Sequence, residues 1–209
     1  MRSTFLALAL LALLALLASA TWAQIPPIDL FTADMAGPAH IWVSPSGYGP
    51  ALTDAYVPGI SATFDATIIV TLTDWNGDPI VGWPHEDVWL DELSPSAFVF
   101  CPAGTCADTD SDANGQMRFT SSLMAGGQIM PDDDTYVFVN GETLSSLSVP
   151  LSVNSPDING DLTVNLSDVV FFCQGLTGTY DWRLDFNFDT VINLSDVVVM
   201  AQTLGQTCP

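Results

Sequence analysis

Between residues 157 and 198 the chain repeats itself, and the repeat leaves little freedom in what that stretch can become. Asp157-Ile-Asn-Gly-Asp-Leu-Thr-Val-Asn-Leu-Ser-Asp-Val-Val170 is followed, 28 residues on, by Asp185-Phe-Asn-Phe-Asp-Thr-Val-Ile-Asn-Leu-Ser-Asp-Val-Val198. Residues 165–170 recur unchanged as residues 193–198. In both copies oxygen donors fall at positions 1, 3, 5, 9 and 12 of a twelve-residue loop, the spacing at which a tight coil turns alternate side chains onto a hard cation. In the first loop Asp157, Asn159 and Asp161 are expected to bind by side chain and Thr163 by its carbonyl. Asn165 would act through a water, and Asp168 would close the sphere. The second loop offers Asp185, Asn187, Asp189, the Val191 carbonyl, Asn193 through water, and Asp196. Three carboxylates per loop favour calcium, two ions in all, over magnesium with its smaller octahedral cage. Two such matches at one period argue against plain Asx-rich turns. Their place inside the loops likewise argues against Asn165 and Asn193 being glycosylation acceptors. The last turn of each loop is expected to run into a short helix. Leu166, Val169, Val170 and Cys173, and Leu194, Val197, Val198 and Ala201, would form apolar faces that pack the two copies together.

A pair of EF-hand-like loop–helix units, with Asp at position 12 and no clear helix before either loop, resembles a type I dockerin over residues 156–206. The chain departs from that family at position 6, where Leu162 and Thr190 replace the usual Gly at a conformational cost. The resemblance implies a cohesin partner contacted through loop positions 10 and 11, here Leu166 and Ser167 in one copy and Leu194 and Ser195 in the other. Their identity would permit binding in two orientations related by a half-turn. Gln174 and Gln202 stand where the family often has basic residues that support the contact.

Upstream, residues 24–153 read as all-β. Alternating or β-rich segments at 39–43, 63–73, 87–91, 97–100, 116–120, 135–139 and 147–153 are separated by turn signals at Asn76-Gly-Asp-Pro79, Asn114-Gly115, Gly126-Gly127 and Asn140-Gly141. That pattern predicts an antiparallel sandwich. Thr67-Ile-Ile-Val-Thr-Leu-Thr-Asp-Trp-Asn-Gly-Asp-Pro-Ile-Val-Gly82 and Asp110-Ser-Asp-Ala-Asn-Gly-Gln-Met-Arg-Phe-Thr120 resemble two turn motifs of bacterial Ig-like domains of the invasin and adhesin type. The resemblance implies an Ig-like spacer or adhesion module, and by itself no activity. The expected organisation is thus a leader at residues 1–23, a mainly β Ig-like sandwich at 24–153, and a small α-helical dockerin-like module at 154–209.

The leader reading rests on a short charged start, an apolar run at residues 5–17 and small-residue cleavage sites before Gln24, which together describe a secretory signal peptide. The expected address is therefore extracellular, with no membrane insertion after cleavage. Four cysteines suit an oxidising compartment. Cys101 and Cys106 are close enough to clip a loop, which would leave Cys173 to pair with Cys208 and staple the two helices. A four-cysteine zinc site is the weaker reading, because only one pair is close in sequence.

Charge narrows the partners. The chain has 24 acids, 3 bases and no lysine, for a net charge of −21. Such a surface repels polyphosphates and anionic lipids, so nucleic acid and membrane-surface partners are excluded. Asp outnumbers Glu 21 to 3, a bias that suits tight turns and cation loops. Asp108, Asp110 and Asp112, and the run at 132–134, are read as solvated turn residues in preference to further cation sites. No nucleophile elbow, zinc-binding helix or phosphate loop appears, so no catalytic residues are expected. His85-Glu-Asp87 reads as a loop at a strand entrance, in preference to a metal or sugar site. Trp75, Trp83 and Trp89 raise a carbohydrate-binding alternative, with Trp89 set among Asp87 and Asp91, although core packing is favoured.

Three functions stay open. The first is a non-catalytic, calcium-dependent assembly protein docking to a cohesin-like partner. The second is a self-assembling cell-surface or filament subunit in which the calcium module is a structural clip. The third is an accessory glycan-binding protein of polysaccharide degradation.

Overall fold

The structure is a computed structural model that describes residues 31–59, 62–93, 98–130 and 135–209. The leader segment and the acidic run at 132–134 lie outside these residues. The fold is mainly β, with largely antiparallel sheets and two α-helices among the described residues. Among the described residues no helix is long and apolar enough to cross a membrane.

Two three-stranded antiparallel sheets and one four-stranded sheet share the large apolar core. The first orders β1 (Thr32–Asp34), β5 (Ile68–Thr71) and β8 (Gln116–Phe119) as β1-β5-β8. The second orders β6 (Val88–Glu92), β10 (Thr135–Val139) and β11 (Glu142–Val149) as β11-β10-β6. In the third, β12 (Leu151–Asn154) lies parallel to β2 (Ala39–Trp42), which continues through β3 (Ala55–Tyr56) to β4 (Thr63–Phe64). A two-stranded ribbon joins β7 (Val99–Phe100) to β9 (Ala125–Gly126). Alternation does the burying: in β5, Ile68 and Val70 point inward, and in β10 Val137 and Val139 do the same.

The turn residues act as their chemistry dictates. Asn140 and Gly141 both take positive φ, 51° and 87°, between Val139 and Glu142, the two-residue connection whose twist suits a hairpin. Asp74 and Asp112 each accept the backbone N–H two and four residues on, at 2.7–3.0 Å, and hold their Asn-Gly turns closed. The single strand expected over 63–73 is instead two. Asp65 accepts both the N–H and the hydroxyl of Thr67, which breaks the ladder and sends β4 and β5 to different sheets. Pro150 separates β11 from β12 in the same way.

Beyond β12 come the two helices, α1 (Leu166–Leu176) and α2 (Leu194–Thr203). They build a second core from Ile158, Val164, Phe172, Leu184, Phe186 and Met200, and Trp42 of β2 belongs to it. The C-terminal segment therefore packs on the β portion and does not hang from a linker. Asn154, fully buried, donates its amide to the carbonyls of Trp182, Arg183 and Asp185 at 3.1–3.4 Å. The ring of His40 meets that of Phe188 at 4.7 Å.

Two expectations are corrected here. The helix faces are rotated: Leu166, Val170 and Cys173 point to solvent, as do Leu194, Val198 and Ala201, while Val169 and Val197 of the expected faces do pack, half-buried, against the second core. The buried positions are Asp168 and Phe172 in α1, and Asp196, Met200 and Thr203 in α2. The cause is the capping box, in which Asn165 or Asn193 caps the helix and the following Asp turns back into the loop. The disulfide pairing also differs, because Cys101 bonds Cys208 and leaves Cys106 and Cys173 as free thiols. Cys106 is drawn against Trp89 of β6, and Cys173 rides on the outward face of α1. The tail, meanwhile, folds back: Val164 donates to Gln206 at 2.9 Å and Ser46 donates to the Gln206 side chain at 2.6 Å.

Candidate metal centre

The sequence repeat becomes a repeat of geometry. In the first loop Asp157 accepts the N–H groups of Asp161 (3.1 Å) and Leu162 (2.8 Å). Asp185 accepts those of Asp189 (3.2 Å) and Thr190 (2.8 Å) in the second. Asp161 and Asp189 each take the N–H two residues on, at 3.0 and 2.9 Å. The closing residues Asp168 and Asp196 each bind the N–H at position 9, at 2.9 Å. Their other oxygens reach back to the loop entrance, Asp168 to Asn159 at 3.2 Å and Asp196 to Phe186 at 2.7 Å. Asn165 and Asn193 cap the helices by accepting from Ser167 and Ser195, both at 2.8 Å, and donate to the carbonyls of Thr163 and Val191. Asn159 and Asn187 donate to Asp161 and Asp189.

Positions 4 and 6 both need left-handed backbone to coil this tightly. Gly160 and Leu162 have φ of 69° and 64°, and Phe188 and Thr190 have 53° and 70°. The turn that usually calls for glycine is thus made by a leucine and a threonine, at about 1–2 kcal/mol each. The N–H bonds of Leu162 and Thr190 to the first aspartate hold it.

Electrostatically the loops are short of positive charge. Asp157, Asp168, Asp185 and Asp196 are fully buried. The one base in residues 154–209, Arg183, is committed to Asp181 by a forked pair, with Nε at 2.9 and 3.0 Å from its two oxygens. Burial, and then the Asp168 charge, pushes the Asp157 carboxyl up to about 6, and burial likewise raises Asp196. Tyr180, absent from the sequence reading, donates to Asp185 at 2.7 Å, and its hydroxyl is raised by burial and by that bond. Gly126 presses on the first loop so closely that a Cβ there would lie 1.9 Å from an oxygen of Asp157.

Among the described residues no three His, Cys, Asp or Glu side chains converge as a finished metal cage. The carboxylates are spread over the loop N–H groups. The remaining donors are Asn amides and the Thr163 and Val191 carbonyls. An all-oxygen set around buried, uncompensated carboxylates fits a hard divalent cation in both loops.

The remaining candidates lie elsewhere. Leu166 and Leu194 are 73% and 78% exposed, and Ser167 and Ser195 beside them are exposed too. Asp108, Asp110 and Asp112 are each taken up locally, by Thr120, His85 and the Asn114 turn. His85 sits in a 3-10 turn just before β6. Trp89 stacks on its cross-strand partner Phe138, with centroids 5.6 Å apart and rings 10° from parallel, so that face is covered. Trp83 packs on the core against Phe31, and Trp75 is exposed.

No protein-family model, curated protein or solved structure matches the chain.

Proposed function

We propose that the chain is a secreted, non-catalytic calcium-binding protein, an Ig-like sandwich carrying a dockerin-like pair of calcium loops that mediates assembly outside the cell. The observation that carries this reading is the duplicated loop, with two matching hydrogen-bond networks around buried carboxylates that lack a positive partner. Calcium would be held by Asp157, Asn159, Asp161, Thr163 and Asp168 in one loop, with Asn165 acting through water. Asp185, Asn187, Asp189, Val191 and Asp196 would hold it in the other, with Asn193 as the water-mediated donor. The ion supplies the missing charge and so favours the ordered loop. Each ordered loop presents an exposed Leu-Ser pair at the head of its helix, and this repeated pair is the contact surface for a cohesin-like partner.

A specific observation also favours the second reading, a structural clip within a self-assembling subunit. The Cys101–Cys208 disulfide and the Trp42 cluster tie the repeat to the β portion, as a clip requires.

The two readings separate on a variant with Leu166, Ser167, Leu194 and Ser195 replaced together by Asp. Immobilised wild-type chain should retain a secreted partner in calcium and release it to chelator, while the variant retains none and still binds calcium. Calcium-dependent self-association in sedimentation that survives the four changes would favour the clip. Neither behaviour in the wild type would sink the assembly proposal.

A further inference from the structure

A cleft of about 280 Å³ opens where the β portion meets the end of α2. Trp42, Tyr48, Gly49, Pro50, Tyr56 and Gln202 form it, with no charged side chain among them in a chain holding 24 acids. Tyr48 is 52% exposed yet stands on a braced turn. Its N–H donates to the Ser44 hydroxyl at 2.9 Å, and the Gly49 carbonyl accepts from Ser122 at 2.8 Å. Gly49 passes so close to β2 that a Cβ there would lie 2.7 Å from the Trp42 carbonyl. The ring centroids of Trp42 and Tyr48 are 6.3 Å apart and inclined at 56°, which makes an angled aromatic wall.

We infer that this cleft binds a neutral saccharide, with a sugar ring laid on Tyr48 and its hydroxyls met by Tyr56 and Gln202. A pyranose has an apolar C–H face for an aromatic ring, and a rim of hydroxyls that both donate and accept. The lining supplies matching groups, since a phenol and a primary amide can each do both. With no base in the lining, an anionic ligand would meet no counter-charge and would be repelled by a chain of net charge −21. A polyproline segment presents carbonyl acceptors alone, whereas Tyr56 and Gln202 offer acceptors as well as donors, a match to hydroxyls that do both. The cleft is separate from Trp89, whose face is closed by Phe138. It depends on the docking of α2 and not on the identity of the loop cation.

The test uses the oxidised full chain in calcium buffer against neutral gluco-, xylo-, manno- and galacto-oligosaccharides. Saturation-transfer NMR comes first, then calorimetry on the best ligand, with decaproline as the peptide probe. At least one oligosaccharide should bind. Tyr48→Ala and Gln202→Ala should each weaken it about tenfold, Tyr48→Phe should stay within about threefold, and Trp75→Ala should change nothing. Unchanged thermal midpoints would show that the variants fold, Tyr48 and Gln202 both being exposed. The assignment is overturned if no oligosaccharide shows transfer at millimolar concentration. Binding that survives both alanine changes, or binding of decaproline alone, would overturn it too.

Discussion

Leu162, Phe188 and Thr190 carry positive φ where a side chain is disfavoured, and the reason is local. Each lies in a loop coiled tightly enough to turn backbone N–H groups onto its first aspartate. Thr190 is exposed and β-branched, so Thr190→Gly should raise stability by about 1 kcal/mol and tighten calcium at the second loop. Urea midpoints with and without calcium check this. A second residue-scale effect is the His85–Asp110 pair, 2.8 Å apart at the surface. The hydrogen bond raises His85 above its ordinary 6.5 and lowers Asp110 below 3.8. The histidine contribution is whole below 6.5 and lost as pH rises through its raised value. The aspartate contribution is whole above 3.8 and lost as pH falls through its lowered value. Both are therefore present between about pH 4 and 6.5. In an NMR titration, Asp110→Asn should bring the His85 midpoint down toward 6.5, and an unmoved midpoint would contradict the pairing. The turn chemistry at Asp74, Asp112 and Asn140 was legible from residue type alone, because short Asx side chains satisfy nearby N–H groups whatever the tertiary context. Tyr180 and His40 were not legible, since their roles come from neighbours that only folding brings near.

At the scale of elements, most of the strands could be read from alternation and turn residues. β1, β3 and β9 were missed because they run two or three residues, too short for a period to show, and residues 142–146 of β11 were missed because that stretch holds one apolar residue and shows no alternation. The helices were placed well but their orientation was not. Spacing alone favoured Leu166, Val169, Val170 and Cys173 as the inner face, whereas the capping aspartate sets the rotation, keeps only Val169 of these against the core and puts Phe172 inside. Phe172→Ala should therefore cost about 3–4 kcal/mol, while Leu166→Asp should stay within about 0.5 kcal/mol. Denaturant titration of both variants tests the rotation, and the reverse order of effects would contradict it.

For the whole molecule, the decisive contacts join the repeat to the β portion, and nothing in the residue spacing announced them. Nearness in sequence suggested Cys101–Cys106, yet the bond made spans 107 residues and ties the tail to the sheets. Closing so long a loop restricts the unfolded chain more than a short clip would, so Cys208→Ser should lose about 2–5 kcal/mol and Cys173→Ser almost nothing. Denaturant midpoints under oxidising conditions check both. The repeated coil of the two loops was legible because twelve residues at this spacing leave little choice in where the first aspartate's N–H partners fall. The docking was not, because it depends on Trp42, Asn154 and Gly126 meeting surfaces far along the chain. The most direct test of the account is calcium calorimetry on the oxidised full chain beside an Asp168→Ala, Asp196→Ala double variant. Two ions per chain, absent from the variant, are predicted. No binding at millimolar calcium, or two ions still bound by the variant, would contradict the assignment of these loops as the metal centre.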